Sequence, residues 1–369
     1  MSGWLYTGHT DIETKRGKRK VKKNLKWVVV LVVLAFSMTL LAGCGGGDKP
    51  KAAAPAAPTA EKKVIRVSIG LNDASPEYKG LEKFKELVAK ASNGRIEVQI
   101  FPSAQLGDDI KTMTALRAGT LEMSGPSSSP LASINKKWMV FDLPFLFPNE
   151  QVVDKVLDGP FGQKMLDSLQ SSGLVGICFM ENGYRQVTNS KHEIKTPADI
   201  KGLKIRTMEN PVHLAAWRTL GANPTPMPFS EVFNAMQQKT IDGQENPNTT
   251  NFLQKFYEVQ KYTTLSKHVY TPFVIMYSKK MWDTLPKADQ ELIMKAGKEA
   301  GVWQREYNRK VDAEAAQGLE KAGMVVTRLT PEQQKAFMEA TKNIASQFEN
   351  DIGKDVIADV RAEIAKHSK

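Results

Sequence analysis

The chain has 369 residues, a formal charge of +11 and a hydrophobic fraction of 41%, too long for one ordinary core and suited to two domains with extra segments. The charge raises a nucleic-acid partner, but its distribution excludes one. Eight basic residues lie between Lys15 and Lys26 against Asp11 and Glu13, so the leader before Cys44 contributes +6 and the remainder only +5, with no arginine-rich groove signal interleaved with aromatics.

The first element is a basic segment ending at Lys26, followed by the uncharged run WVVVLVVLAFSMTLLAG, Trp27 to Gly43. At about 1.5 Å per residue, such a run nearly spans a bilayer core, so a retained membrane anchor is one reading. The stretch Leu41-Ala42-Gly43-Cys44 favours another, because it sets small residues where a signal peptidase cuts. It resembles a bacterial lipoprotein signal, which implies that residues 1–43 are removed and that Cys44 becomes the lipid-modified first residue. Twenty-six residues is long for the basic region, and an alternative initiator at Val21 would shorten it. Residues 44–62, rich in Gly, Ala and Pro, then read as a flexible tether. The other cysteine, Cys178, sits in the apolar run LVGICFM and is expected as a buried, inert thiol.

From Lys63 the signals alternate. VIRVSIG (64–70) has strand period, and Ser75-Pro76 opens a helix with Leu81, Phe84, Leu87 and Val88 on one face, ending at Asn93-Gly94. RIEVQIF (95–101) is a second strand, and Asp108-Asp109 opens a second helix that stops at Gly119. This rhythm predicts an α/β domain with a mainly parallel sheet. It recurs around GLKIRTMENP (202–211), where a strand carrying Arg206 ends beside Asn210-Pro211, a helix cap and first helical residue. After Pro286, apolar spacings of three and four continue to Ala322 and predict one helix of about 50 Å, long enough to brace two lobes. Gly297, Gly301 and Gly318 weaken it and admit a bend. Thr330-Pro331 with Gln333 forms a capping box for a last helix.

Catalytic signals are poor. The five histidines have no metal-ligand spacing, and Ser133-Ile134-Asn135-Lys136 fits S-x-x-K without its companion motifs. No phosphate loop, nucleophile elbow or dinucleotide fingerprint is present. What remains is Arg206 at a strand end, Arg185 in ENGYRQVT, and the turn DGQENP (242–247). A guanidinium fork matches a carboxylate, and ligands of open α/β sheets bind at the carboxyl ends of strands. The residues therefore point to a crevice for an organic anion.

FPSAQLGDD, ENGYRQVT, GLKIR, GANPTPMPFSEVFNAMQQKTIDGQENP and KFYEVQKY together resemble the substrate-binding subunit of a tripartite ATP-independent periplasmic (TRAP) transporter. The resemblance implies a two-lobed periplasmic-binding-protein-like α/β fold with the long helix crossing both lobes, no catalysis and no cofactor. It divides the chain into residues 63–182 plus 272–311 as one lobe and 183–271 plus 312–369 as the other. It implies a small carboxylate ligand (a C4-dicarboxylate, sugar acid or related acid), membrane subunits as partners, and a lipid anchor on the outer face of the cytoplasmic membrane. Carried over by motif, Arg206 is the principal carboxylate-binding residue and Arg185 the second, Asn246 supplies an amide, Phe229 an apolar wall, and Asn72 and Asp109 polar contacts. Ser127 replaces a glutamate of the sialic-acid-binding members, and Met208-Glu209 replaces their Pro-Asn pair, so sialic acid is not the favoured ligand. A binding protein of an ATP-driven transporter and an enzyme on the same scaffold are the alternatives.

Overall fold

The order of elements in the computed structural model, which describes residues 62–368, follows the predicted alternation. The expectations for the leader, the Val21 start, Cys44 and the tether to residue 61 lie outside the described residues. Strand β1 (Lys63–Ser68) leads to α1 (Pro76–Ala91), where Ser75 caps the helix by accepting from the Tyr78 amide. Next come β2 (Ile96–Phe101), α2 (Asp109–Ala118) and the short β3 (Met123–Ser124). Asp108 caps α2 by accepting from the Lys111 amide. Helices α3 (Glu150–Asp158) and α4 (Pro160–Asp167) precede the long strand β4 (Leu174–Tyr184).

A second run holds β5 (Gln186–Asn189), β6 (Lys204–Thr207), α5 (Pro211–Thr219), β7 (Asn223–Pro226) and α6 (Phe229–Gln237). It continues with β8 (Gly243–Asn246), α7 (Asn248–Leu253) and β9 (Tyr262–Leu265). The chain returns through β10 (Tyr270–Ser278), α8 (Lys287–Lys321), β11 (Val325–Arg328), α9 (Pro331–Thr341) and α10 (Lys354–His367).

Two sheets result, one per lobe. The first has strand order β2-β1-β3-β10-β4, and the second β11-β9-β5-β8-β6-β7. The first is parallel across β2-β1-β3, but β10 runs antiparallel to both β3 and β4, because it brings the chain back from the other lobe. Sheet membership changes at Arg185 and again between Leu265 and Tyr270, so both crossings lie side by side.

Helix α8 is continuous over 35 residues. It packs on α1 and β4 in one lobe and on α7 and β11 in the other. Its glycines mark close approach and not a break. A Cβ on Gly297 would lie 2.3 Å from Ile177, one on Gly301 2.6 Å from the Phe179 carbonyl oxygen, and one on Gly318 2.6 Å from the Phe252 ring. The Cys178 thiol lies buried beneath the first two, where burial pushes its pKa up to about 12 and keeps it inert.

The C-terminal helix makes contacts that the expected 312–369 assignment to the second lobe does not describe. Val356, Ile357 and Val360 of α10 share a core with Val152 and Val156 of α3 and Phe161 and Met165 of α4, and Lys164 pairs with Asp359 at 2.6 Å.

Candidate functional site

Strand β6 places Arg206 between Thr225 of β7 and Gln244 of β8. The turn that follows is closed by Asn210, whose side chain accepts from the Val212 amide at 2.8 Å, with Pro211 beginning α5. Arg206 is 2% exposed. Its Nε and Nη2 donate to the Met227 carbonyl oxygen at 3.0 and 2.7 Å, while Nη1 is buried without a partner among the described residues. One edge of the fork is thus spent on orienting the side chain, and the other is open. Burial lowers the Arg206 pKa to about 10, helped by the nearby Arg185 charge.

The open edge belongs to a crevice of about 500 Å³ lined from both lobes. Asp109, Ser127, Glu209, Phe229 and Asn246 all line it with Arg206, so six of the eight expected binding positions converge there. The Asp109 carboxylate accepts from the Ser127 amide at 3.3 Å. Burial nevertheless pushes Asp109 up to about 7, with Asp108 and Glu209 adding to the rise against the pull of Ser127 and Arg206. Glu209 is also raised, by burial first, against the pull of Arg206. Asn246 is held by an amide relay: it donates to Gln244, which donates to Asn251 at 2.8 Å, which donates back to the Asn246 carbonyl at 3.0 Å.

Arg185 and Asn72 do not line this crevice. Arg185 is fully buried, with its Nε and Nη2 closed on the Glu245 carboxylate and backbone, leaving only Nη1 unpartnered. Asn72 donates to the Leu253 carbonyl at 3.0 Å and so ties the first lobe to α7 of the second. Behind Arg185, His268 meets Glu245 at 3.2 Å and His213 meets Asp142 at 2.9 Å. Burial opposes charge on Glu245, but Arg185, His213 and His268 outweigh it and hold the carboxyl well below the usual range. Burial likewise works against charged His213, and the bonds to Asp142 and Glu245 win, holding it up at about 9.

A second cavity, of about 470 Å³, is bounded by Val187, Ile200, Trp217 and Phe337 together with these histidines. Its walls are apolar and its charged groups, Asp142, His213 and His268, are committed to hydrogen bonds, so it holds no free charged donor for an anion. The crevice at Arg206 does offer one. Asn182, Phe273 and Asp108 are among the crevice residues that sequence reasoning missed. Asn182 stands in the same ENGYR motif as Arg185, and its side chain donates to Ser127 at 3.3 Å. Phe273 comes from the returning β10, which carries no motif.

Residues 67–351 match the family described as bacterial extracellular solute-binding protein, family 7. The chain belongs to this family. It is a TRAP-transporter solute-binding protein, extracytoplasmic and not an enzyme. A solute-binding protein of Verminephrobacter eiseniae is 37% identical over 306 residues, which cover 83% of this chain and 91% of its own. The crystal structure of a sugar acid binding protein from Advenella mimigardefordensis, in complex with galactonate, is similar at 42% identity and a TM-score of 0.81, covering 83% of this chain and 99% of its own. A TRAP periplasmic solute-binding protein from Sulfurospirillum deleyianum, crystallised with succinate, is 34% identical at a TM-score of 0.77, covering 82% of this chain and 99% of its own. Among the described residues of this solute-binding protein, no group of three or more His, Cys, Asp or Glu side chains is placed to hold a metal ion.

Proposed function

We propose that this solute-binding protein captures a carboxylate-containing small molecule between its two lobes, with the carboxylate on Arg206, and delivers it to the membrane subunits of a TRAP transporter. The observation that carries the reading is the buried, unpartnered Nη1 of Arg206 in a crevice lined from both lobes. A buried guanidinium hydrogen without an acceptor is costly, and a carboxylate satisfies it with a charge-assisted bond. The galactonate and succinate in its structural relatives both offer that group. Asn246, Ser127 and Asp109 border the anion, Phe229 packs on its carbon chain, and Glu209 flanks the arginine. Arg185 supports Arg206 from behind, and Asn72 acts in lobe contact. In the same reading the lobes divide at 182/183, 271/272 and 311/312, and the protein is a lipoprotein, processed after residue 43, held by a lipid on Cys44 and tethered through residue 62. An acylated Cys44 peptide in membrane fractions tests the anchor.

Calorimetry tests the site. Arg206→Ala should weaken binding of the acid by about 30-fold to several thousandfold, the equivalent of about 2–5 kcal/mol for removing one partner of a buried charged pair. Arg206→Lys should recover part, because it keeps charge and loses the planar fork. Equal affinity for the acid and its methyl ester would overturn the assignment.

A further inference from the structure

Three carboxyl groups line the crevice, Asp108, Asp109 and Glu209, and Arg206 is the one cation among its lining residues. Asp108 is committed as the cap of α2, where it accepts from the Lys111 amide at 3.2 Å and answers the dipole at that helix end. Asp109 is half-buried, and among the described residues the Ser127 amide at 3.3 Å is the one hydrogen-bond donor to its carboxyl. Arg206 spends Nε and Nη2 on the Met227 carbonyl and leaves Nη1 unpartnered, so no carboxylate of the wall neutralises it directly. Around Asp109 stand Asp108 on its own turn, the buried Glu77 of α1, and Glu209 after β6. Arg206 acts on it from the opposite wall, while Lys111 lies exposed over Gly107. Arg185, behind Arg206, has its charge matched by Glu245.

We propose that capture of a carboxylate in this crevice takes up one proton from solvent, and that the proton comes to rest on Asp109. The proposal rests on the carboxylate reading above and adds the proton as a second ligand. Before capture, Arg206 is the cation that favours the Asp109 anion. A bound carboxylate pairs with Arg206, cancels that help and sets its own negative charge beside Asp109. It also displaces the water that solvates the half-buried carboxyl, so each of these changes disfavours the anion. Protonation removes the conflict and turns Asp109 from an acceptor into a donor toward the ligand. Even without ligand, burial holds Asp109 up at about 7 against the pull of Ser127 and Arg206. Glu209 is less suited to take the proton, because it follows Arg206 by three residues in one lobe and keeps that neighbour when the lobes part. An aspartate facing open water titrates near 3.9, so uptake falls between that value and the raised one. It is close to one proton per ligand at pH 5.5, at least about half at pH 7, and fades toward pH 9. Affinity therefore falls as pH rises, by at least about 30-fold between pH 5.5 and 8.

The test is calorimetry on the full-length protein in detergent with D-galactonate, D-erythronate and pantoate, in paired buffers of different ionisation enthalpy. These monocarboxylates are ionised above about pH 5.5, so they carry no proton change of their own. The parent should take up close to one proton per bound acid at pH 5.5 and bind at least about 30-fold more weakly at pH 8. Asp109→Asn should take up none and hold its affinity within about threefold across the same range, because the amide is neutral at every pH. Glu209→Gln should still take up the proton. If Asp109→Asn does not fold, the parent's uptake and its pH window decide alone. No uptake in the parent, uptake that survives in Asp109→Asn, or uptake confined to the range above pH 7 where His213 titrates overturns the proposal. Arg206→Ala in parallel separates the two readings. Full affinity there sinks the carboxylate clamp, whereas clamp-dependent binding without proton uptake sinks only the proton. Binding of none of the three acids overturns both.

Discussion

Arg185 and Arg206 are near neighbours, each with an unpartnered Nη1, but only Arg206 opens on the crevice. Arg185 has its charge matched by Glu245, both fully buried. Removing it strands a carboxylate in the interior, which costs on the order of 3–5 kcal/mol. Arg185→Ala should therefore lower the urea midpoint before any binding defect is measurable, and normal stability with lost binding would place it on the ligand instead. His213 gives a pH signature in the same cluster. Its folded pKa of about 9 exceeds the ordinary 6.5. Its contribution is therefore complete below about pH 6.5 and is lost as pH rises through 9, amounting to about 3 kcal/mol over that window. His213→Gln should flatten the fall in stability between pH 6.5 and 9 expected of the parent protein, and an unaltered slope would assign that fall to another group.

At the scale of elements, helix propensity and packing disagree over α8, and packing decides. An alanine in a helix interior is about 1 kcal/mol better than glycine by propensity. At Gly301 the added methyl would meet the Phe179 backbone oxygen at 2.6 Å, an atom that cannot move aside without shifting β4. Gly301→Ala should destabilise by about 1–3 kcal/mol in urea titration, and a stabilised variant would show that the helix has slack. The spacing from Ala288 to Ala322 revealed the helix, and Asn210-Pro211 revealed the start of α5, because both are local signals. The same glycines read as weak points in sequence, since a close approach needs a partner strand that the helix pattern does not name. The capping box at Thr330 opens α9 and not the last helix as expected; α10 follows, and its docking on α3 and α4 was not legible, for the same reason. Arg206 was legible because strand end and cap lie within one stretch.

For the molecule as a whole, the crevice exists only while residues of both lobes face one another. A ligand touching Arg206 and the Asp109 wall together has its full set of contacts only in that arrangement, so its binding shifts the population toward closure. Among the contacts that cross between the lobes, two differ sharply in kind. Around Asp142 a buried cluster receives Asn210 at 2.9 Å and His213 at 2.9 Å. At Asn72 a single neutral hydrogen bond reaches the Leu253 carbonyl. The charged, fully buried cluster is the costlier to break, so we expect it to persist as a pivot while the Asn72 bond opens. A neutral hydrogen bond contributes about 0.5–1.5 kcal/mol, which changes the closed-to-open ratio by about two- to tenfold. Asn72→Ala should thus weaken apparent affinity by no more than that factor, since affinity scales with the competent fraction. In small-angle scattering it should enlarge the radius of gyration of the free protein and leave the saturated complex unchanged. A radius that does not shrink on proven ligand occupancy, in parent and variant alike, would mean that the crevice is a rigid pocket and that Asn72 only stabilises the fold.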